Sequence, residues 1–146
     1  MALRYLSPIH SAVRQITLYL EPQCAVLGVS PAEGHLLSYL RTYAPCPIVE
    51  IVRVFGIRPS TMTSILERLA ERDLILRAPD PDDRRSVRVS LTREGRAVAE
   101  RIHRMIRDLE GRIGTHVGKR ELAGFRSVMG AVEAATGVRV RKERST

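Results

Sequence analysis

Apolar residues recur every three or four positions along the first forty residues, and this spacing predicts two amphipathic helices. The first is predicted over residues 7–22, because Ser7 and Pro8 suit the cap and the first position of a helix. Pro22 is predicted to end it, since proline disfavours helical geometry in the residue before it. The second begins at Ser30, which stands three residues before a glutamate, the spacing of a capping box. The apolar positions are Ile9, Val13, Ile16 and Leu20 in the first helix, and Leu36, Leu37 and Leu40 in the second.

Two short helices separated by a tight turn are predicted next. The pattern breaks at Pro45 and Pro47, and the first short helix then closes at Gly56, which permits left-handed backbone geometry. The second opens at Pro59. Each carries apolar residues at positions i, i+3, i+4 and i+7, so the two helices are expected to share a core. These residues are Ile48, Ile51, Val52 and Phe55, followed by Met62, Ile65, Leu66 and Leu69.

The opposite face of the second short helix is polar and rich in hydroxyl groups. Hydroxyl side chains near a helix N-terminus can contact the phosphates or the base edges of a nucleic acid. Ser and Thr are also ordinary residues on a solvated helix face, so the helix pair alone leaves both interpretations open. The polar residues are Ser60, Thr61, Thr63, Ser64, Glu67 and Arg68.

A β-hairpin is predicted after the helix pair. Residues 87–91 alternate strictly between apolar and polar, which predicts a strand that returns along residues 74–76. The tip between them, residues 79–86, is polar and rich in turn-forming residues. A basic hairpin in this place is typical of a wing that lies along a DNA groove, although a solvated surface hairpin has the same pattern. The basic residues are Arg84, Arg85 and Arg88.

Two further helices are predicted after the hairpin. Thr92 suits the cap of a long helix that ends between Gly114 and Gly118, and a last helix ends at Gly137. Residues 138–146 are basic and are expected to be mobile. The apolar positions are Val98, Ile102, Met105, Ile106, Leu109 and Ile113 in the long helix, and Leu122, Phe125, Val128, Met129 and Val132 in the last.

Composition and charge narrow the class of protein. With 146 residues, 44% of them hydrophobic, the chain suits one domain over residues 1–146. The formal net charge of +8 favours nucleic acid over a membrane surface as the partner. No apolar run approaches the roughly 18 residues that cross a bilayer, and Cys24 and Cys46 lack the spacing of a disulfide framework or a zinc site. We therefore expect a cytoplasmic protein that does not contact a membrane.

The sequence carries no recognisable pattern of catalytic residues. Its four histidines are scattered, without a Ser/His/Asp order, paired catalytic carboxylates, a glycine-rich phosphate loop or HExxH spacing. We therefore expect a binding protein with no enzymatic activity and no cofactor.

One motif in the hairpin points to a known family. Asp83-Arg84-Arg85 is separated by five residues from Leu91-Thr92, and Arg93-Glu94-Gly95 follows. This pattern resembles the wing of the MarR family of winged-helix transcription regulators and its continuation into a long helix. Thr61–Leu69 is similar to the recognition helix of that family, and the resemblance covers nearly the whole chain.

The resemblance implies an architecture and a function. The fold would be mostly α, with a winged helix-turn-helix over residues 47–92 that binds double-stranded DNA. Helices over residues 7–22 and 93–137 would join two copies into a homodimer, so the operator is expected to be a pseudo-palindrome with half-sites about 10 base pairs apart. The implied function is sequence-specific regulation of transcription, as a repressor. A non-specific architectural DNA-binding protein and a protein-interaction winged helix are the alternatives.

The resemblance also implies roles for individual residues. Arg85 would enter the minor groove, Arg84 could share that role, and Asp83 would hold the tip in shape. The departures from the family pattern are Arg58 for a common capping Ser or Thr, Ser64 for a frequent Arg or Lys, and Asp73 for a glycine. The predicted DNA contacts are Arg58, Ser60, Thr61, Thr63, Ser64, Arg68, Arg84, Arg85 and Arg88.

A small-molecule effector is implied as well. A mostly apolar molecule, often a phenolic or aromatic anion, would bind between the dimerisation helices and the winged helix and release the repressor from DNA. Metal sensing through Glu33, His35 and His103, and peroxide sensing through Cys24, are alternatives on the same fold. The residues predicted to line the effector pocket are His10, Arg14, Tyr19, Tyr39, Met105 and the leucines of the second helix.

Overall fold

The structure is a computed structural model that describes residues 2–140. Within this range six helices surround a small antiparallel sheet, which confirms the predicted fold class: mostly α with a winged helix-turn-helix. The elements in chain order are α1 Leu6–Val26, α2 Pro31–Tyr43, β1 Cys46–Pro47, α3 Ile48–Phe55, α4 Pro59–Glu71, β2 Ile75–Pro79, β3 Val87–Leu91, α5 Arg93–Gly114 and α6 Lys119–Thr136.

Helix α1 is longer than predicted, because it continues through Pro22 to Val26. The prediction that the proline ends this helix was wrong. Cys24 lies beyond the proline and is only 1% exposed, and it packs close to Gly34 and Ile102. Burial of Cys24 against the core offsets the backbone hydrogen bond that the proline cannot donate.

The caps of the first two helices differ from each other. Ser7 does not cap α1, whose cap position is Tyr5 and lacks a side-chain hydrogen bond. Ser30 caps α2 as predicted, since its hydroxyl accepts a hydrogen bond from the backbone N–H of Glu33 at 3.1 Å.

The core forms where α2 packs on α5, and the buried residues of both belong to one apolar cluster with those of the two short helices. Gly34 allows the close approach, because a Cβ at this position would lie 3.3 Å from Ile102. The apolar positions predicted for α2 and α4 are all buried, which follows from their helical spacing. They are Leu36, Leu37, Leu40, Met62, Ile65, Leu66 and Leu69.

Strand β3 is the centre of the sheet, with β1 and β2 on either side, both antiparallel to it. Ile75 of β2 lies opposite Leu91, and Cys46 of β1 lies opposite Val89. The strand β1 was not predicted, because two residues are too few to show a period and one of them is proline. We call residues 75–91, which comprise β2, the tip and β3, the wing.

The wing is fastened to the start of α5. The Thr92 hydroxyl caps α5 by accepting a hydrogen bond from the Gly95 N–H at 2.9 Å, and the Thr92 N–H donates to the Leu74 carbonyl at 3.1 Å. Asp73, which precedes this contact, has a φ of 58°, the left-handed geometry that Asp tolerates better than most residues. These contacts fix the direction in which the hairpin leaves the core.

Apolar side chains remain exposed on the outer helices. Helix α6 has no buried residue, and Phe125 at its centre is 59% exposed. Val13 and Ile16 of α1 are also exposed. The predicted basic tail over residues 138–146 lies, from residue 141 onward, outside the described residues. Across residues 2–140, no helix combines the length and the apolar character needed to cross a membrane.

Candidate nucleic-acid interface

Helices α3 and α4 form a helix-turn-helix whose turn is closed by Gly56, with a φ of 61°. The apolar face of α4 is buried against the core, so the opposite face is left to solvent. This exposed face carries the six polar residues predicted from the sequence, which are Ser60, Thr61, Thr63, Ser64, Glu67 and Arg68.

The N-terminus of α4 presents backbone donors next to a positive charge. Arg58 occupies the cap position without a side-chain hydrogen bond, and Pro59 follows at the first helical position. The first intrahelical bond is donated by Met62 at 3.0 Å, so the N–H groups of Ser60 and Thr61 precede the helical ladder. These donors, the helix dipole and the Arg58 charge together suit a phosphate group.

Two hydroxyls on α4 are already used as donors within the helix. Thr63 donates to the Pro59 carbonyl at 2.9 Å, and Ser64 donates to the Ser60 carbonyl at 3.2 Å. In this conformation they offer a DNA base only their oxygen lone pairs, as acceptors for a base amino group. In this conformation Thr63 and Ser64 could therefore contact DNA as hydrogen-bond acceptors and not as donors.

The wing tip is shaped by two aspartates that accept backbone hydrogen bonds. The Asp80 carboxylate accepts from the Asp82 N–H at 2.9 Å, and the Asp83 carboxylate accepts from the Arg85 N–H at 3.0 Å. The Ser86 N–H closes the turn on the Asp83 carbonyl at 2.9 Å. Asp83 therefore fixes the backbone from which Arg85 projects.

Two arginines at the tip are exposed and have no acidic partner among residues 2–140. These are Arg84 and Arg85, which lie between the turn-forming aspartates and β3. A guanidinium group without an internal partner keeps all its donors for an external anion. The tip therefore presents two neighbouring positive charges on a backbone held by its own hydrogen bonds.

Arg88, which the sequence also predicted as a DNA contact, has acidic partners within the chain. Its Nε lies 2.9 Å from the Asp80 carboxylate, and a terminal nitrogen lies 3.5 Å from the Asp82 carboxylate. The Nε–H does not point squarely at the Asp80 oxygen, so this contact is an ion pair and not an aligned hydrogen bond. Arg88 therefore braces the wing, and its contact with DNA stays a prediction.

The Asp80 carboxyl is expected to titrate below its ordinary pKa of 3.8. The hydrogen bond from the Asp82 backbone is the main cause of the lowered pKa, and the Arg88 charge adds to it. The carboxylate stabilises the wing fully above that ordinary pKa and loses this effect as the pH falls through the lowered one. Carboxyl NMR of the Arg88→Gln variant should show a higher midpoint than the parent, yet one still below 3.8 because the backbone bond remains. An unchanged titration midpoint would show that Arg88 does not contribute to the lowered pKa of Asp80.

Arg68, a second predicted DNA contact, is 55% exposed and also reaches an acidic residue of α2. Its Nε lies 3.4 Å from a carboxylate oxygen of Glu33, a buried residue in the first turn of α2. One turn further along the chain, Arg72 donates to the carbonyls of Gly28 and Leu27, between α1 and α2. No pattern in the sequence indicated these contacts, which tie the C-terminal half of α4 to the start of α2.

The residues predicted to line an effector pocket do not come together. His10 and Arg14 are exposed on α1, and Tyr19 hydrogen-bonds with Arg112. The reason is the direction of α1, which turns Thr17, Leu20 and Cys24 toward the rest of the chain, while Val13 and Ile16 border the same face from exposed positions. A cavity of about 430 Å³ lies against that inward face and is lined by residues other than the predicted ones, leaving out all five named side chains.

Tyr39 and Met105 do not line this cavity either. The Tyr39 hydroxyl donates to the Glu50 carboxylate at 3.1 Å, and its ring contacts Phe55 edge to face. Met105 borders a separate groove together with Gln23. Both side chains therefore serve contacts between helices, outside the cavity.

The metal and redox alternatives gain no support from the geometry of the described residues. Glu33 faces Arg68, and the His103 ring lies 3.5 Å from the Ser38 hydroxyl. Across residues 2–140, no group of three or more His, Cys, Asp or Glu side chains is placed to hold a metal ion. Burial raises the pKa of the Cys24 thiol, which disfavours the reactive thiolate.

Known sequences similar to this chain include proteins named as transcription regulators. The MarR family model matches residues 29–87. The multiple antibiotic resistance protein MarR of Escherichia coli (strain K12) is 31% identical over 93 residues, which cover 64% of this chain and 62% of that protein. The HTH-type transcriptional repressor NicR of Pseudomonas putida is 38% identical over 92 residues, covering 63% of this chain and 58% of that protein. The chain thus aligns with about three fifths of the length of these relatives, neither of which is named as an enzyme.

Comparison with solved structures agrees with the sequence match. A mutant MarR from E. coli complexed with operator DNA has a TM-score of 0.72 and 26% sequence identity, covering 86% of this chain and 91% of that one. The S. aureus MepR–DNA complex has a TM-score of 0.80 at 16% identity, covering 92% of this chain and 99% of that one, which supports the fold alone. Together, the matched motif, the relatives and the shared fold support a winged-helix transcription regulator of the MarR family.

Proposed function

We propose that the protein is a sequence-specific regulator of transcription that binds double-stranded DNA with α4 and the wing. The observation that carries this proposal is the wing tip, where Arg84 and Arg85 are free while neighbouring aspartates fix the backbone beneath them. The exposed N-terminus of α4, with Arg58 at its cap, supplies a second site for phosphate. The operator-bound MarR structure, similar at 26% identity, supports duplex DNA as the partner.

We assign DNA binding and dimerisation to different parts of the chain. Residues 47–92 bind DNA, and α1, α5 and α6 join two copies into a homodimer. The support for the dimer is the exposed apolar surface of these helices, above all on α6, which buries nothing in its own chain. Two such surfaces related by a two-fold axis would cover each other. The function as a repressor follows the name of the relative NicR.

The DNA proposal is tested by a gel shift against the duplex from the chain's own upstream region. A specific regulator should prefer that duplex over a random one of equal length by about a thousandfold or more at physiological salt. Equal affinity for both duplexes would favour a non-specific architectural protein. Absence of binding to either duplex would favour a protein-interaction module and would reject the proposal.

The dimer is tested separately, by light scattering coupled to size-exclusion chromatography. We expect a mass of two chains, or twice 16.4 kDa, at micromolar concentration. Footprinting on the bound duplex should then show two protected half-sites about 10 base pairs apart, centre to centre. A single chain in solution would contradict the dimer, and a single protected half-site would contradict the proposed symmetry.

A further inference from the structure

A stripe of polar side chains runs along the exposed side of α4. Its members recur at intervals of three and four residues, which is the spacing of neighbours on one face of a helix, and all of them are exposed. Arg68 is the basic residue of α4, and it lies about 100° around the helix from Glu67, at the edge of the stripe. The stripe itself therefore carries no cation. We call the following residues the α4 stripe: Ser60, Thr63, Ser64, Glu67 and Glu71.

The α4 stripe offers a DNA base mainly hydrogen-bond acceptors. The hydroxyl hydrogens of Thr63 and Ser64 are donated to carbonyls of the preceding turn, so their oxygens are left to accept. An ionised carboxylate such as that of Glu67 has only acceptors. Glu67 has no basic partner among residues 2–140, and both of its oxygens are open to a partner from outside the chain.

A carboxylate on this face restricts the part of a duplex that α4 can meet. Phosphate oxygens and the O6 and N7 atoms of guanine are acceptors, so they repel the Glu67 side chain or leave it without a hydrogen bond. The major groove also exposes donors, which are the amino groups of cytosine and adenine. Cytosine N4 is the usual partner of a Glu side chain there, whereas adenine presents the acceptor N7 beside its amino group.

The position of Glu67 along α4 suits a contact with base edges. A phosphate bound at the N–H groups of Ser60 and Thr61 would hold the start of α4 at one edge of the major groove, which is about 12 Å wide. At about 1.5 Å per residue, Glu67 lies about 10 Å along the helix axis from Ser60, and Glu71 lies about 16 Å from it. A helix that crosses the groove therefore keeps Glu67 within its width and carries Glu71 past it.

We propose that Glu67 is a specificity-determining residue, which selects cytosine in each operator half-site by accepting a hydrogen bond from the N4 amino group. Thr63 and Ser64 add further acceptors to the same face of α4. This inference deepens the proposed function and rests on it, because α4 must lie in the major groove of an operator.

The test is in-vitro selection from a random duplex library with the full-length protein and with the variant Glu67→Gln. Each half-site selected by the parent should contain a cytosine whose replacement by thymine weakens binding about fivefold or more, because thymine presents the acceptor O4 in place of the amino group. In the Glu67→Gln selection, the enriched base at that position should change from cytosine to adenine, since Gln pairs with adenine N6 and N7. The other selected positions should stay the same.

The matched control is Glu110→Gln, which removes the same charge from an exposed position of α5, outside residues 47–92. This variant should select the parental sequence. The removal of a negative charge can also strengthen binding to any duplex, because phosphates repel a carboxylate. A Glu67→Gln variant that binds every duplex more tightly and still selects the parental cytosine would overturn the inference.

The same selection separates failure of this inference from failure of the proposed function. An enriched sequence in which no base depends on Glu67 would overturn the inference and leave the regulator intact, whereas the absence of any enriched sequence would overturn both.

A modified base tests the hydrogen bond itself. N4-methylcytosine at the selected position still pairs with guanine, but its methyl group replaces the amino hydrogen that faces the major groove. The parent should bind the methylated duplex about fivefold or more weakly, and Glu67→Ala should bind both duplexes equally. A parent that binds both duplexes equally would overturn the inference.

Discussion

Replacement of Arg85 by alanine is expected to weaken binding of the operator duplex by about 1–3 kcal/mol, or roughly 5- to 150-fold in Kd. The side chain is exposed and lacks an acidic partner among the described residues, so removing it leaves no buried charge behind. The backbone hydrogen bond from its N–H to Asp83 remains possible in the variant. The loss should therefore fall on DNA affinity, measured by fluorescence anisotropy, with the melting temperature unchanged.

The matched control is Arg120→Ala, which removes an equal charge from an exposed position on α6. It should change operator affinity far less than Arg85→Ala, because α6 lies outside the proposed DNA-binding part. Arg84→Ala distinguishes the two arginines at the tip, and the one that enters the groove should show the larger loss. An Arg85→Ala variant with parental affinity at two salt concentrations would remove Arg85 from the interface.

The winged helix-turn-helix was predicted well because its signals are local. The helices α3 and α4 follow from apolar residues at helical spacing, and Gly56 closes the first of them as expected. The motif from Asp83 to Thr92 marked the wing, and Thr92 indeed caps the following helix. Each of these features depends on the spacing of a few neighbouring residues, which can be read from a single sequence.

The predictions from sequence were weakest where contacts between residues far apart in the chain determine the structure. Pro22 was expected to end α1, yet burial of Cys24 against α2 and α5 extends the helix past it. The interval from Leu20 to Cys24 continues the apolar spacing of α1, which indicates a helix that extends past Pro22. The prediction followed the usual effect of proline instead. The charge of Arg88 is visible in the sequence, whereas its ion pair with Asp80 could not be predicted, because it depends on the fold of the tip.

The predicted lining of an effector pocket agrees least with the single chain. The family resemblance implied polar and aromatic side chains such as His10, Arg14 and Tyr19, which do not come together within the described residues. The cavity against α1 is lined mostly by apolar residues that any core would contain, and only the packing of four elements leaves a space among them. His35, which the sequence suggested for metal sensing, borders this cavity from the start of α2.

The largest expected loss of stability comes from Gly95→Ala, at the first turn of α5. A Cβ on this buried residue would lie 1.7 Å from the Leu74 carbonyl oxygen and 2.7 Å from its carbon, both backbone atoms that no side-chain rotation can move. The same carbonyl accepts the hydrogen bond from the Thr92 N–H, so relief of the clash must break the joint between wing and α5. Overpacking of this kind is expected to cost about 3 kcal/mol. Thermal unfolding should show a fall in melting temperature of about 10 °C.

The control lies on the same helix. A Cβ at Gly111 would meet no atom within 4 Å, so Gly111→Ala should leave stability equal or raise it by up to about 1 kcal/mol through helix propensity. Because the joint at Leu74 also orients the wing, Gly95→Ala should weaken operator binding even at temperatures where the variant is folded. Gly111→Ala should bind like the parent. If Gly95→Ala melts at the parental temperature, the close packing of α5 on the Leu74 carbonyl is refuted, and with it the argument that this joint sets the direction of the wing.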